Sequence, residues 1–259
     1  MESNELIKIK GISEKSQQAI NESSRVLKYK IGQPMVINEV IPDDILIIIE
    51  GEARLLASQN GKIITAAKLS RGTFIGLSSI LRANGSESVT ASTETKVVAL
   101  PTQLILDLYK NEKVFREDCQ NTLYPSEALY LVNKLINEST RGDININAAF
   151  NTLFKNAKIQ NIENGQNIIV ESDCKSFISS DNFENQKIGD LITKDFCASL
   201  RGPFNGRLLK INNELYNEFI QIEKTLAQTK NNNKALLDNK AVREGPQTPK
   251  QTAIDVGQY

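Results

Sequence analysis

From Arg25 to Leu100 the apolar positions come in short runs of period two, each closed by Gly, Pro, Asn or Asp. Val26 to Lys30 and Met35 to Ile37 predict two strands around a bend at Gly32 and Pro34. After the turn signal Pro42-Asp43-Asp44, the run Ile45 to Ile49 is dense in β-branched residues, as a strand buried on both faces would be. Gly51 then reverses the chain into Glu52 to Ala57, and Asn60-Gly61 supplies the positive φ of a tight hairpin into Lys62 to Ala67. Ser88 to Ser92 and Thr95 to Leu100 add two more strands. Roughly eight short strands at regular spacing predict an antiparallel roll or barrel.

Helical spacing flanks this block. Residues 1–24 carry a short lead-in helix over Ser-Glu-Lys-Ser-Gln-Gln-Ala-Ile-Asn, opened by Ser13. Pro101 starts a helix over Thr102 to Tyr109. Glu112 to Gln120 and Pro125 to Asn137 follow, the latter with Leu129, Val132, Leu135 and Ile136 on one stripe. Such an arm suits dimer contacts across 101–137, relay of a signal, or simple capping of the roll. Farther on, Lys158 to Val170 restates Leu27 to Ile37 around Gly165, and Ser176 to Ser180, Gln186 to Ile192 and Gly206 to Asn212 read as strands, with a helix at Asn213 to Phe219. The expected organisation is a lead-in (1–24), a β-roll (25–120), a helical connector (121–142), a shortened, degenerate second roll (143–220) whose residues to 212 alternate like strands, and a helix end with a polar tail (221–259). The fold class is mainly β with flanking helices, a jelly roll followed by a second, shortened roll.

Composition narrows the chemistry. At 259 residues with 40% hydrophobic residues, the chain can bury a sizeable core, and its net charge of +0 offers no basic field for nucleic acid. It contains no histidine, which removes Ser-His-Asp, Cys-His and HExxH sites as they stand. Cys119, Cys174 and Cys197 are odd in number and widely spaced, so they are expected in the core rather than in disulfides or a metal site. No apolar run approaches the roughly 20 residues that span a bilayer, and Met1 to Lys10 has no secretory pattern, so a cytoplasmic location is expected. No Gly-x-x-x-x-Gly-Lys phosphate loop occurs, and no enzymatic activity is expected.

The segment Gly72 to Ala91 breaks the run of strands. A Gly-x-Phe-x-Gly turn, one short apolar helix and a polar loop make the outline of an anion or nucleotide cradle. Its candidate ligand-binding residues are Gly76, Leu77, Ser78, Ser79, Arg82, Ser86, Glu87 and Ser88, with Arg82 and Arg71 expected to be solvated loop residues that could reach inward.

The order strand, Gly turn, strand, Ile-Glu-Gly-Glu-Ala-Arg-Leu, Asn-Gly hairpin, Leu-Ser-Arg-Gly-Thr-Phe-Ile-Gly, short helix, two strands, helix resembles the cyclic nucleotide-binding β-roll of catabolite activator protein and the regulatory subunits of protein kinase A, with Gly32, Gly51, Gly72 and Gly76 as its glycine skeleton. The resemblance covers about residues 25–120. It implies a Glu after the second cassette glycine to bind the ribose hydroxyl, and an Arg to pair with the cyclic phosphate. Here those positions are Leu77 and, by spacing back from Val97, Gly85 or Ser86, with Glu87 beside them. Losing both grips should cost about 3 kcal/mol or more. The variant cassette Phe-Ile-Gly-Leu-Ser-Ser-Ile-Leu-Arg is similar to the N-terminal region of cyanobacterial ABC exporters that carry a bacteriocin-processing peptidase. This resemblance implies a non-enzymatic regulatory or docking module, with a protein partner such as a membrane exporter, at the inner face of the membrane, as the front end of a longer protein or a stand-alone relative. No cofactor is then expected. The alternatives are a sensor of a cyclic nucleotide or another small anion, and a transcription regulator of the catabolite-activator type.

Overall fold

The computed structural model describes residues 7–59, 61–138 and 145–219. The Asn60 hairpin position, the end of the expected connector at 139–142, and the tail at 221–259 lie outside the described residues.

Helix α1 (Glu14–Ser23) opens on Ser13, whose Oγ accepts the Ser16 N–H, and leads into the strands β1 (Arg25–Tyr29), β2 (Pro34–Val36), β3 (Asp44–Glu50), β4 (Ala53–Gln59), β5 (Lys62–Leu69) and β6 (Phe74–Ile75). The short helix α2 (Leu77–Leu81) separates them from β7 (Val89–Ala91) and β8 (Thr95–Pro101). These strands form two four-stranded antiparallel sheets, in the orders β1-β8-β3-β6 and β2-β7-β4-β5. The architecture is mainly β with flanking helices, a cyclic nucleotide-binding-like roll.

The apolar strands β3 and β8 feed two cores at once. Leu46, Ile48, Val97 and Ala99 face the interior of the roll, where Leu55, Leu69 and Val89 also lie. Ile45, Ile47, Val98 and Leu100 face the opposite way, against Ile20, Ile105, Leu108 and Phe115 of the helices. Period-two geometry explains why neither strand alternates apolar with polar: both faces are covered.

Helix α3 (Thr102–Asn111) leaves β8 directly, and α4 (Lys113–Asn121) and α5 (Pro125–Glu138) follow. Glu112, between α3 and α4, accepts hydrogen bonds from Ser13 Oγ (2.6 Å) and Ser16 Oγ (2.5 Å), which ties α1 to this corner. The apolar stripe of α5 is spent inside the chain, with Ala128, Leu129, Val132 and Leu135 buried in the core cluster of the roll interior.

Beyond the roll, the expectation of alternating strands from residue 143 fails at its start. Residues Ile146–Asn156 are a helix, α6, because Ile146, Phe150 and Leu153 recur at helical spacing and are buried, while Asn145 Oδ1 caps the Ala148 N–H. Thereafter β9 (Lys158–Ile162), β10 (Asn167–Ile168), β11 (Cys174–Ile178), β12 (Phe196–Cys197) and β13 (Gly206–Asn212) form a three-stranded sheet β11-β13-β9 and a pair β10-β12. The stretch Gln186 to Ile192, expected as a strand, is turn-like and meets β11 through the bridge Phe177 to Leu191 and the Gly189 N–H to Ile178 O hydrogen bond. The cysteines also divide: Cys119 is buried, Cys174 half-buried and Cys197 exposed, so only the first is a core residue.

This second unit repeats the hydrogen-bond frame of the first. Gly32 N–H donates to Ala91 O and Ala91 N–H to Gln33 O; Gly165 N–H donates to Ala198 O and Ala198 N–H to Gln166 O. Gly72 N–H donates to Ile48 O as Gly189 N–H does to Ile178 O, and both glycines have positive φ. By this register, no counterparts of β4, β5 and α2 lie among the described residues of the second unit. A short segment, Ser179 to Gln186, runs where the hairpin would be.

Candidate functional site

Gly76 stands at the entrance to α2 with φ 90°, and a Cβ there would lie 2.7 Å from Pro42 Cγ and 3.1 Å from Ile45 Cδ1. Both backbone and space therefore require glycine. All five residues of α2 are buried. Leu77 packs into the cluster of Ile80 and Phe115, Ser78 Oγ shares a 2.6 Å hydrogen bond with Ser126 Oγ of α5, and Ser79 Oγ accepts the Ser86 N–H at 3.4 Å.

Where a cradle would offer a free amide, the chain supplies its own carboxyl group. The carboxylate of Glu87 accepts the Gly76 N–H through Oε2 and the Ser126 hydroxyl through Oε1, the latter at 3.3 Å. Glu87 is 6% exposed. Burial pushes its carboxyl up to about 7, with the nearby Glu127 adding to the rise and the Gly76 and Ser126 hydrogen bonds and Arg82 opposing it.

Arg82 is not the solvated loop residue expected. It is 0% exposed, at the C-terminus of α2, and points toward the second unit. Its Nε donates to Ser179 O at 2.6 Å and its Nη1 to Ser86 Oγ at 2.6 Å, while its own carbonyl accepts the Asp181 N–H at 2.8 Å. Its guanidinium carbon lies 5.3 Å from the centroid of Tyr130, and Nη2 has no hydrogen-bond partner. Ser86 and Ser88 are half-buried in the following loop. Gly85, one of the two positions at which the resemblance implies the phosphate arginine, admits no side chain: a Cβ would lie 2.4 Å from Val40 N. Arg71 is exposed, as expected, but lines the same cavity as Leu77 and Glu87.

Behind the cassette lies a charged hub that the sequence does not announce. Glu127, in the first turn of α5 and fully buried, accepts from Arg207 Nε (2.7 Å) and Nη2 (2.9 Å), from Ser179 Oγ (3.1 Å) and from the Tyr124 N–H (3.0 Å), with Arg82 Nε 3.9 Å away. Arg207, on β13, also donates to Thr122 O at 2.8 Å and to Cys119 O at 3.3 Å, carbonyls at the C-terminal end of α4. Burial would raise the Glu127 carboxyl, but the charge and hydrogen bonds of Arg207 win and hold it below the usual range. In turn Arg207 is raised despite its burial, whereas Arg82, more weakly paired, is lowered by burial. Glu127 alone looks like a helix-opening residue reaching back to the Tyr124 amide, and nothing local pairs it with a residue 80 positions away.

Two cavities flank the loop 85–88, and both reach Ser126. One, of about 680 Å³, includes Leu55, Leu69, Leu77, Glu87 and Val89 in its lining. The other, of about 740 Å³, is lined by Ser86 and Ser88 together with Ser58, Asn84, Tyr130 and Asn133. The loop is thus a partition, with Glu87 on one side and its neighbours on the other. A group of metal-ligand types, Glu171, Asp173 and Cys174, lies elsewhere on the second unit, with Glu171 already paired to Lys210 Nζ.

Residues 26–112 match the family model described as the cyclic nucleotide-binding domain. No curated protein matches the chain. Among solved structures, the chain is similar to the catabolite activator protein of Thermus thermophilus, at 20% identity and TM-score 0.37, covering 50% of this chain and 58% of that one. It is also similar to the regulatory domain of Toxoplasma gondii PKA with cAMP, at 9% identity and TM-score 0.37, covering 85% of this chain and 90% of that one. A transcriptional regulator of Thermotoga maritima is similar at 21% identity and TM-score 0.36, covering 48% of this chain and 98% of that one. Among the described residues, no helix is long and apolar enough to cross a membrane.

Proposed function

We propose that this chain is a non-enzymatic regulatory and docking module on a cyclic nucleotide-binding-like roll, and that its cassette does not take a cyclic nucleotide in the usual way. One observation carries this: the buried carboxylate of Glu87 already occupies the Gly76 amide. An incoming phosphate would find that amide already taken. Leu77 offers no acceptor for a ribose hydroxyl, Gly85 has no room for an arginine, and Arg82 is engaged by Ser179 O and Ser86 Oγ. Forfeiting a charge-assisted phosphate contact and a hydroxyl acceptor lowers affinity by about two decades or more.

Thermal unfolding with millimolar cyclic AMP or cyclic GMP is expected to leave the midpoint unchanged; a saturable rise would overturn the proposal. Association with an ABC-type peptide exporter, implied by the resemblance of the cassette, is its finer part. A tagged chain is expected to retain such an exporter through a mild-detergent purification, and recovery of the chain without one under those conditions counts against the association.

A further inference from the structure

The 680 Å³ cavity beside Glu87 has a chemistry of its own. Its volume lies within the range of about 300–1,000 Å³ typical of small-molecule sites. The walls from β3, β4, β5, α2, β7 and α4 supply Ile48, Leu55, Leu69, Leu77, Val89 and Phe115. The charges are segregated. Glu87 is buried in the wall, and its oxygens are engaged by the Gly76 N–H and the Ser126 hydroxyl. Lys8, Lys10 and Arg71 line the same cavity but are exposed, with the exposed Asp118 as the one carboxylate among them. Among the described residues none of the three cations is in an ion pair.

A strap holds two of these cations in place. Gln17 on α1 accepts the Ile9 N–H (3.2 Å) and donates to Ile7 O (2.8 Å), so the segment 7–10 is fastened to the helix. Ile7 and Ile9 pack inward against the helical core, while Lys8 and Lys10 alternate outward to the rim.

We propose that this cavity binds a monoanionic amphiphile of medium-chain fatty-acid size, its apolar chain on Leu55, Leu69, Leu77 and Val89 and its carboxylate at the rim of Lys8, Lys10 and Arg71. The placement of the cations sets the orientation, because Lys8, Lys10 and Arg71 are exposed at the mouth while the walls behind them are apolar. Burial of the chain supplies most of the affinity, and the rim cations select the charged head over a neutral one. It rests on the reading of the cassette as closed to cyclic phosphate, and assigns to the space left beside that closed site a different ligand class.

Isothermal titration of the full chain with decanoate, decanol and cyclic AMP tests it. Decanoate is expected to bind saturably at one site, and decanol about tenfold more weakly. The surface variant K8Q/K10Q/R71Q should lose about tenfold in decanoate affinity with its thermal midpoint unchanged, and Leu77→Phe should weaken decanoate and decanol alike by narrowing the cavity. Absence of saturable decanoate binding, equal affinity for decanol, or an unaffected rim variant would overturn the proposal. Displacement of decanoate by cyclic AMP overturns the reading of the cassette as closed while supporting the cavity as a ligand site. A chain that binds neither overturns this proposal and leaves that reading standing.

Discussion

Glu87 carries a titration that solvent-exposed carboxylates do not. Its folded pKa of about 7 lies above the ordinary 4.5, with burial as the main cause and Arg82 and Glu127 as its charged neighbours. Between those two values the folded chain holds a proton that the unfolded chain releases. Stability from this residue is therefore fully present below about pH 4.5, falls as pH rises, and is gone above about pH 7. Replacement by glutamine keeps an acceptor for the Gly76 N–H and removes the charge. Glu87→Gln is expected to flatten the stability profile between pH 5 and 7 and to raise stability at pH 8 by up to about 3 kcal/mol. Urea titrations of both proteins across that range check it, and parallel profiles would show that Glu87 is not the group responsible.

At the scale of elements, the cassette is a turn, a helix and a loop wedged between the roll and α5, and its backbone is fixed by close approaches. Gly85 faces the peptide of Glu39 and Val40, and Glu39 N–H donates to Gly85 O at 2.7 Å. Gly85→Arg, the substitution that would restore a phosphate-binding arginine by resemblance, is expected to cost on the order of 2 kcal/mol or more and to confer no cyclic AMP binding. Chemical denaturation together with calorimetry reads both. A stable, nucleotide-binding Gly85→Arg protein would mean that the β2–β3 loop yields easily.

The same elements show which physics a linear chain displays. The roll is legible from Ile45 to Leu100 because strand period and turn glycines are local properties, and Gly32, Gly51, Gly72, Gly76 and Gly165 all have positive φ. Leu77 and the Gly85-Ser86-Glu87 loop are local and can be read off the chain. The contact of Glu87 with the Gly76 amide cannot, since Glu87 needs Ser126, 39 positions on, to complete its shell. Arg82 reads as a loop arginine until Ser179, 97 positions away, covers it. Helix α6 escapes a strand-based reading because Ile144, Ile146 and Ala148 alternate with polar residues at its start, and only Phe150 and Leu153 restore the helical spacing.

Across the whole molecule, the second unit meets the first where its Ser179 to Asp181 dock on Arg82. Arg207, from the strand beside that segment, closes the contact by pairing with Glu127. An apolar cluster runs through the same region, from Leu55 and Val89 across Val132 to Phe177 and Leu209. Roll, α5 and second unit therefore share one core and one buried charge network, and they should unfold together. Arg207→Met leaves Glu127 with only Arg82, 3.9 Å away, as a charged partner, and removing one member of a buried pair costs about 3–5 kcal/mol. Urea unfolding followed by far-ultraviolet circular dichroism and by tyrosine fluorescence is expected to show one coincident transition in both proteins, displaced to lower urea in the variant. Two separated transitions, or a loss below about 1 kcal/mol, would mean that the units are joined by the apolar cluster alone and that Arg82, Glu127 and Arg207 do not couple the cassette to the second unit.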